Sequence, residues 1–511
     1  MHQFILDFNG SKKTLKPYWN MCVGSCHGTT ALREDYRRQL KRCQRELGFR
    51  YVRFHGLFDD DMSVLTKPMM RGGKGEEYVV SFTNIDSVFD FLLSINMKPF
   101  IEIGFMPECL KSKNTTIFHY KGNTSKPCDY ERFDWLVKTF AEHLICRYGL
   151  DEVRQWFFEV WNEPNLGGPD SPFGFWSDTM EEYFNLYEHT ARTLKAVDKR
   201  LKVGGPATSN NAWIPEFTGF CRKNDVPVDF VSTHHYPTDV ILGYGVEDSQ
   251  NFIAPKEGET PEEFFLRREE GMKTIWKGVD RGVLTGMTKK AVKEAGGLPV
   301  YYTEWNSMGG LPSDGPFGAS FILKTVMDSV DLAEGYSYWT FSDIFEESGM
   351  PYKPFHGGFG LLTLQGIPKA AYRAFELLNK LGEELYDGSY HEGTVDIYAV
   401  NKSTSSAVRF LAVNHHSLLH EIIEEKIEIT LEGYRDTVKA QVEYLDEKHG
   451  NAFGTWQEMG EPDYLTKAQL AILEGASCTQ AETLPVESAD GRNTVNFTLP
   501  PMGAALVTFY L

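Results

Sequence analysis

The stretch 157-FFEVWNEPN-165 sets four apolar or aromatic side chains and one carboxylate ahead of a polar tip, Asn162-Glu163-Pro164. A short β-branched and aromatic run of this kind predicts a strand. A glutamate at its end needs a reason, because even a neutral polar group buried without a partner costs roughly 2–7 kcal/mol. Either Glu163 is paired structurally or it stands at the mouth of a site. The same design recurs along the chain: YWNMCVGS (18–25), RYVRFHG (50–56), KPFIEIGF (98–105), LKVGGPA (201–207), VDFVSTHHYP (228–237), LPVYYTEWN (298–306) and GYSYWTF (335–341).

Between these runs lie segments of helical period. Tyr36, Leu40, Cys43 and Leu47 repeat at helical spacing, as do Phe133, Leu136, Val137, Phe140, Leu144 and Ile145. Strands alternating with helices imply parallel pairing. Eight such units predict an α/β fold, a closed (β/α)8 TIM barrel over residues 16–382, and no G-x-G-x-x-G follows the first strand to favour a dinucleotide fold. Past residue 383 the pattern becomes VDIYAVN, AVRFLAVNH, KIEITLEG, AQVEYLD, NTVNFTL and GAALVTFYL, which predicts an antiparallel β-sandwich over 383–511. Residues 1–15, with QFILDF, are expected to add a strand to it. The charged segment 238–297 is longer than one helix needs and is read as an insertion with one or two amphipathic helices.

Composition narrows the function classes. The net charge of -19 argues against nucleic acid or an anionic membrane as partner. No run approaches the roughly 18 apolar residues of a membrane span. The N-terminus shows no basic region followed by an apolar one, so a cytoplasmic location is expected. Eight scattered cysteines read as free thiols. Cys22, Cys26 and His27 lack a second ligand pair, so no metal is expected there. Asp59-Asp60-Asp61 reads as a solvated loop, and Trp19, Trp156 and Trp276 as packing residues.

In a (β/α)8 barrel the chemistry sits at the C-terminal ends of the strands. Those ends carry His55, Asn162-Glu163, His234-His235-Tyr236, Glu304-Trp305-Asn306 and Trp339. A lone glutamate at a strand end is usually an ion-pair partner. Two of them, on strands four and seven and each with an asparagine within two residues, suit glycoside hydrolysis. That reaction needs one carboxylic acid to protonate the leaving oxygen and one carboxylate to attack or to activate water.

FEVWNEPN and YYTEWN resemble the acid/base and nucleophile motifs of the large clan of retaining glycosidases built on (β/α)8 barrels. More narrowly the chain resembles glycoside hydrolase family 39, best known for β-xylosidases, through LGFRYVRFHG, DFLLSINMKPFIEIGFMP, SYWTFSDIFEE, FHGGFGLLTLQGIPKAAY and DEKHGNAFGTW. The resemblance implies a retaining exo-β-glycosidase releasing xylose from short xylo-oligosaccharides, with no cofactor. It implies Glu163 as acid/base, Glu304 as nucleophile and Asn162 on the 2-hydroxyl. It implies further that His55, His234, Tyr236, Trp339, Phe345 and Glu347 line the sugar subsite. STHHYPTD on strand six departs from the family pattern on either side of the first His. A glucoside, galactoside or arabinopyranoside glycone therefore stays open. A uronic-acid glycosidase would want Arg or Lys at the strand ends, where none appears. A non-catalytic carbohydrate-binding protein is the rival of another class. Self-association is implied by the resemblance, with the insertion a candidate contact.

Overall fold

The computed structural model describes residues 1–67, 78–171, 174–239, 256, 258–402, 406–434, 436 and 438–511. Eight parallel strands close a barrel in chain order: Cys22–His27, Tyr51–His55, Lys98–Ile103, Phe157–Val160, Lys202–Thr208, Phe230–His235, Val300–Trp305 and Gly335–Tyr338. A helix follows each one, from Glu34–Leu47 after the first to Ala370–Lys380 after the last. The expected barrel is therefore present, with one boundary corrected. The first strand begins at Cys22, because Tyr18–Asn20 forms a 3-10 turn that buries Tyr18 and Trp19 below it.

Strand alternation sorts the barrel interior into layers. At the N-terminal end Met21, Cys22, Phe100, Phe157 and Phe230 form one apolar cluster, with Tyr51 and Tyr301 packed against it. The Phe100 and Phe157 rings stack at 4.9 Å. Two residues further along the same strands stand Arg53, Glu102, Glu159, Ser232 and Thr303, all buried. The aromatic plug keeps water from this polar layer, so its charges must find each other. The mouth lies one step above.

The C-terminal region packs a four-stranded sheet (2–7, 425–432, 492–499 and 487–489 in spatial order) against a larger sheet that includes 395–402, 407–414, 439–445 and 504–510. Alternation within 395–402 serves both neighbours. Ile397 and Ala399 face the sandwich core, whereas Tyr398 and Val400 join the barrel's core. The sandwich is not wholly antiparallel: His2–Asp7 pairs parallel with Glu425–Glu432. Two short helices, Ala452–Glu458 and Lys467–Ala476, also interrupt the run of strands. They cover Phe355 and Ile367 with Trp456 and Leu473. Within the expected insertion, Pro261–Gly278 is an added helix with a full capping box, and Val283–Glu294 is the barrel helix proper. Residues 240–255 and 257 of that segment lie outside the described residues.

Candidate active site

The polar tip of strand four leaves the barrel through two residues in the left-handed region, Trp161 at φ 71° and Glu163 at φ 42°. Side chains rarely adopt such a backbone, which costs on the order of 1–3 kcal/mol each. Neighbouring strands hold it in place. The Trp161 amide donates to Ile103 at 3.1 Å and the Glu163 amide to Ala207 at 2.8 Å. The Trp161 indole donates to the Phe175 carbonyl at 2.7 Å. Strand seven shifts register against strand six between Thr233 and His234, which pairs His234 with Glu304.

Glu163 and Glu304 meet at His234. One oxygen of each and one His234 nitrogen all lie within 4.8 Å of one another. The two carboxyls sit in opposite surroundings. Glu304 Oε1 accepts from Arg53 Nη1 at 2.7 Å, and Glu304 Oε2 accepts from the Tyr236 hydroxyl at 2.7 Å. Among the described residues no Lys or Arg contacts Glu163, which faces His234 Nδ1 at 3.0 Å. Burial, then the charge of Glu304 and then that of Asp239, push the Glu163 carboxyl well above the usual carboxylate range. Burial pushes His234 well below the ordinary histidine value, and the Arg53 charge adds to this, so the imidazole is neutral.

Arg53 is the residue on which the polar layer turns. Its guanidinium reaches Glu159 Oε2 at 2.6 Å, Glu102 Oε2 at 2.9 Å, Asn162 Oδ1 at 2.8 Å and Glu304. His55 donates from Nδ1 to Glu102 at 2.8 Å and holds Nε2 3.7 Å from Glu347. Burial opposes its protonation, but the Glu102 contact outweighs this and raises its pKa. Burial lifts Glu347 to about 8, with Glu304 and Glu102 adding to it against His55. Asp239, which accepts from the Tyr236 amide, is lifted by burial to about 7.

Aromatic faces close the sides. Trp339 lies 4.8 Å from the His55 ring, and Phe345 meets Trp339 edge-on at 6.1 Å. Phe118 stacks on His55 at 6.0 Å. Thus His55, Asn162, Glu163, His234, Tyr236, Glu304, Trp339, Phe345 and Glu347 form one connected cluster. His235, by contrast, points away and bonds Tyr336 at 2.8 Å.

Sequence reasoning missed Arg53, Glu102, Glu159 and Thr303. For the three charged ones the signal was present: a charge in mid-strand, two residues from a mouth or plug residue, in YVRFH, FIEIG and FFEVW. The absence of Arg or Lys at the strand ends proves incomplete for the same reason, since Arg53 reaches the mouth from below. The Asp59–Asp61 expectation also fails in part: Asp59 is 3% exposed and its two oxygens find no partner among the described residues. Asp61 bonds His27 at 3.0 Å. The Glu163–His234–Glu304 trio has the reach to hold a cation. Both oxygens of Glu304, however, already accept from Arg53 and Tyr236, and a guanidinium this close opposes a second positive charge.

The model of "Glycosyl hydrolases family 39" matches residues 2–494 of the chain. A β-xylosidase of Caldicellulosiruptor saccharolyticus is 47% identical over 472 residues, 91% of this chain and 89% of that protein. One from Geobacillus stearothermophilus is 35% identical over 474 residues, 92% of this chain and 88% of that protein. Among solved structures, a monomeric β-xylosidase from Caulobacter crescentus CB15 superposes with a TM-score of 0.80 at 30% identity, covering 100% of this chain and 99% of that one.

Proposed function

The chain belongs to glycosyl hydrolase family 39, and from that premise we propose that it is a retaining exo-β-glycosidase, a β-D-xylosidase that releases xylose from the non-reducing ends of short xylo-oligosaccharides. The observation that carries this function is the pair Glu163 and Glu304, whose oxygens approach within 4.8 Å while, among the described residues, only Glu304 is held by a guanidinium. Carboxyls about 5–5.5 Å apart suit a covalent intermediate, whereas inversion needs room for a water, about 6.5–9.5 Å.

Glu304, held by Arg53 and oriented by Tyr236, attacks the anomeric carbon. Glu163, protonated in its buried setting, gives its proton to the leaving oxygen as that bond breaks. In the second step Glu163 takes a proton from water, which displaces Glu304 from the anomeric carbon. Asn162, fixed by Arg53, is placed for the 2-hydroxyl, where hydrogen bonds strengthen in the transition state. Trp339 and Phe345 offer apolar faces to the ring. No step calls for a cofactor. Arg53 is spent on four acidic or amide partners, which disfavours a uronic-acid substrate.

The names of the two relatives support xylose as glycone. Eight free cysteines fit a reducing, cytoplasmic setting, and no helix among the described residues is long and apolar enough to cross a membrane. The test follows an aryl β-D-xyloside by proton NMR from the first seconds. β-Xylose appearing before mutarotation is expected. α-Xylose first would exclude this pairing of carboxylates, and turnover of glucosides or arabinopyranosides alone would replace the glycone.

A further inference from the structure

We propose that Thr303 and Glu159 act through His234 as positioning residues that hold the catalytic proton on Glu163. The inference rests on Glu163 being the acid and base. Three hydrogen bonds run in line through the barrel interior. Glu163 Oε1 meets His234 Nδ1 at 3.0 Å, His234 Nε2 meets Thr303 Oγ1 at 3.0 Å, and Thr303 Oγ1 donates to Glu159 Oε1 at 2.7 Å. All four side chains are buried.

Counting protons fixes the direction of the chain. A neutral imidazole brings one N–H, a threonine one O–H and an ionised carboxylate none. Two protons cannot serve three bonds, so a carboxyl at one end must supply the third. Burial raises the Glu159 carboxyl above its usual range and the Arg53 charge opposes this; Arg53 Nε, donating to Glu159 Oε2 at 2.6 Å, favours the charged form at that end. Thr303 then donates to Glu159, its oxygen accepts from His234 Nε2–H, and His234 Nδ1 is left with a lone pair facing Glu163. Only a protonated Glu163 satisfies that lone pair. An imidazolium would also supply the proton, but burial of His234 and the nearby Arg53 charge oppose it.

The chain therefore acts in both chemical steps. When the bond to the leaving oxygen breaks, its electrons stay on that oxygen, which takes the Glu163 proton. One of the three bonds is then without a hydrogen. A proton drawn from water in the second step restores it. Glu304, Asp239, Glu347 and Arg53 also face Glu163 and shift its titration, but they do so whether or not the chain is intact.

The test compares wild type, Thr303→Val and Thr303→Ser by kcat/KM across roughly pH 4–9, with phenyl β-xyloside and with 2,4-dinitrophenyl β-xyloside. In Thr303→Val, His234 is free to carry its proton on Nδ1 and donate to the Glu163 carboxylate. The alkaline limb with the phenyl substrate should move down by about one pH unit, while Thr303→Ser keeps the wild-type limb. With the dinitrophenyl substrate, which leaves without a proton, the limb should not move. Should Thr303→Val fold poorly, Glu159→Gln gives the second readout. Its amide can donate to Thr303 and reverse the chain, so the same downward shift is expected. A phenyl limb that stays at the wild-type position, or one that moves equally with both substrates, would overturn the proposal. Failure of the acid/base role itself looks different: Glu163→Gln would then lose as much on the dinitrophenyl as on the phenyl substrate.

Discussion

Glu163 and Glu304 are the same amino acid three strands apart, and their contacts alone divide the roles proposed for them. Arg53 and Tyr236 hold the oxygens of Glu304, whereas burial beside a like charge holds a proton on Glu163. Replacing Glu304 with Gln should abolish turnover of every glycoside, with steady-state rates as the check. Replacing Glu163 with Ala should cost about 10²–10⁴-fold on poor leaving groups but spare the first step on good ones. Added azide should then restore turnover and yield the β-glycosyl azide, identified by NMR. An α-azide would reverse the two roles. Two further buried carboxyls at the mouth bear on stability as well. Glu347 is raised to about 8 and Asp239 to about 7. A carboxyl raised in the folded state lends stability that is complete below its unfolded value and is lost as pH rises through the folded one. Thermal stability should therefore decline from about pH 5 to pH 9, and Glu347→Gln should flatten that decline in a melting series.

Each barrel strand was legible as an element because its plug and mouth residues differ so sharply in chemistry. The layer between was not, since a lone Arg53 or Glu159 inside an apolar run is ordinarily read as a fault in the strand. Only the closed barrel brings Arg53 to Glu102, Glu159 and Glu304 at once. Removing a partner from such a buried set costs about 3–5 kcal/mol, because the remaining charges stay buried and unpaired. Arg53→Met should thus lower Tm sharply and abolish activity. Adding Glu159→Gln should recover part of the stability and none of the activity, as denaturant titration and assay would report. Strand one contributes space rather than charge. A Cβ on Gly24 would lie 2.3 Å from the Trp339 ring, so Gly24→Ala must displace the indole that borders His55. A loss of kcat/KM of about tenfold or more, with secondary structure intact by circular dichroism, is expected. Wild-type kinetics in that variant would show that Trp339 does not shape the subsite.

At the scale of the whole molecule, the sandwich could be foreseen from its alternating strands, but its attachment to the barrel could not. QFILDF was expected to add a strand to the sandwich, but that His2–Asp7 pairs in parallel with Glu425–Glu432, more than 400 residues away, is encoded by no local pattern. Attachment instead depends on Asp396, buried on strand Val395–Lys402. It accepts from Arg281, which precedes a barrel helix, lies 3.3 Å from Lys324 of the next one, and bonds His391 at 2.7 Å. Burial works against its charge, but His391, Lys324 and Arg281 together hold its pKa below the usual range. A depressed carboxyl lends stability that is present above its unfolded value, near 3.9, and that is lost as pH falls through the folded one. Asp396→Asn should therefore destabilise the protein by about 3–5 kcal/mol at pH 7, leaving Arg281, among the described residues, with only the Thr394 and His415 carbonyls while Lys324 keeps Asp328 at 2.6 Å. The gap between variant and wild type should narrow below about pH 4. Activity of the still-folded variant should match wild type, because none of these groups touches the barrel mouth. Melting curves at pH 7 and pH 3.5 decide the matter: an equal gap at both would mean that packing of Tyr398 and Val400, not the ion cluster, joins sandwich to barrel.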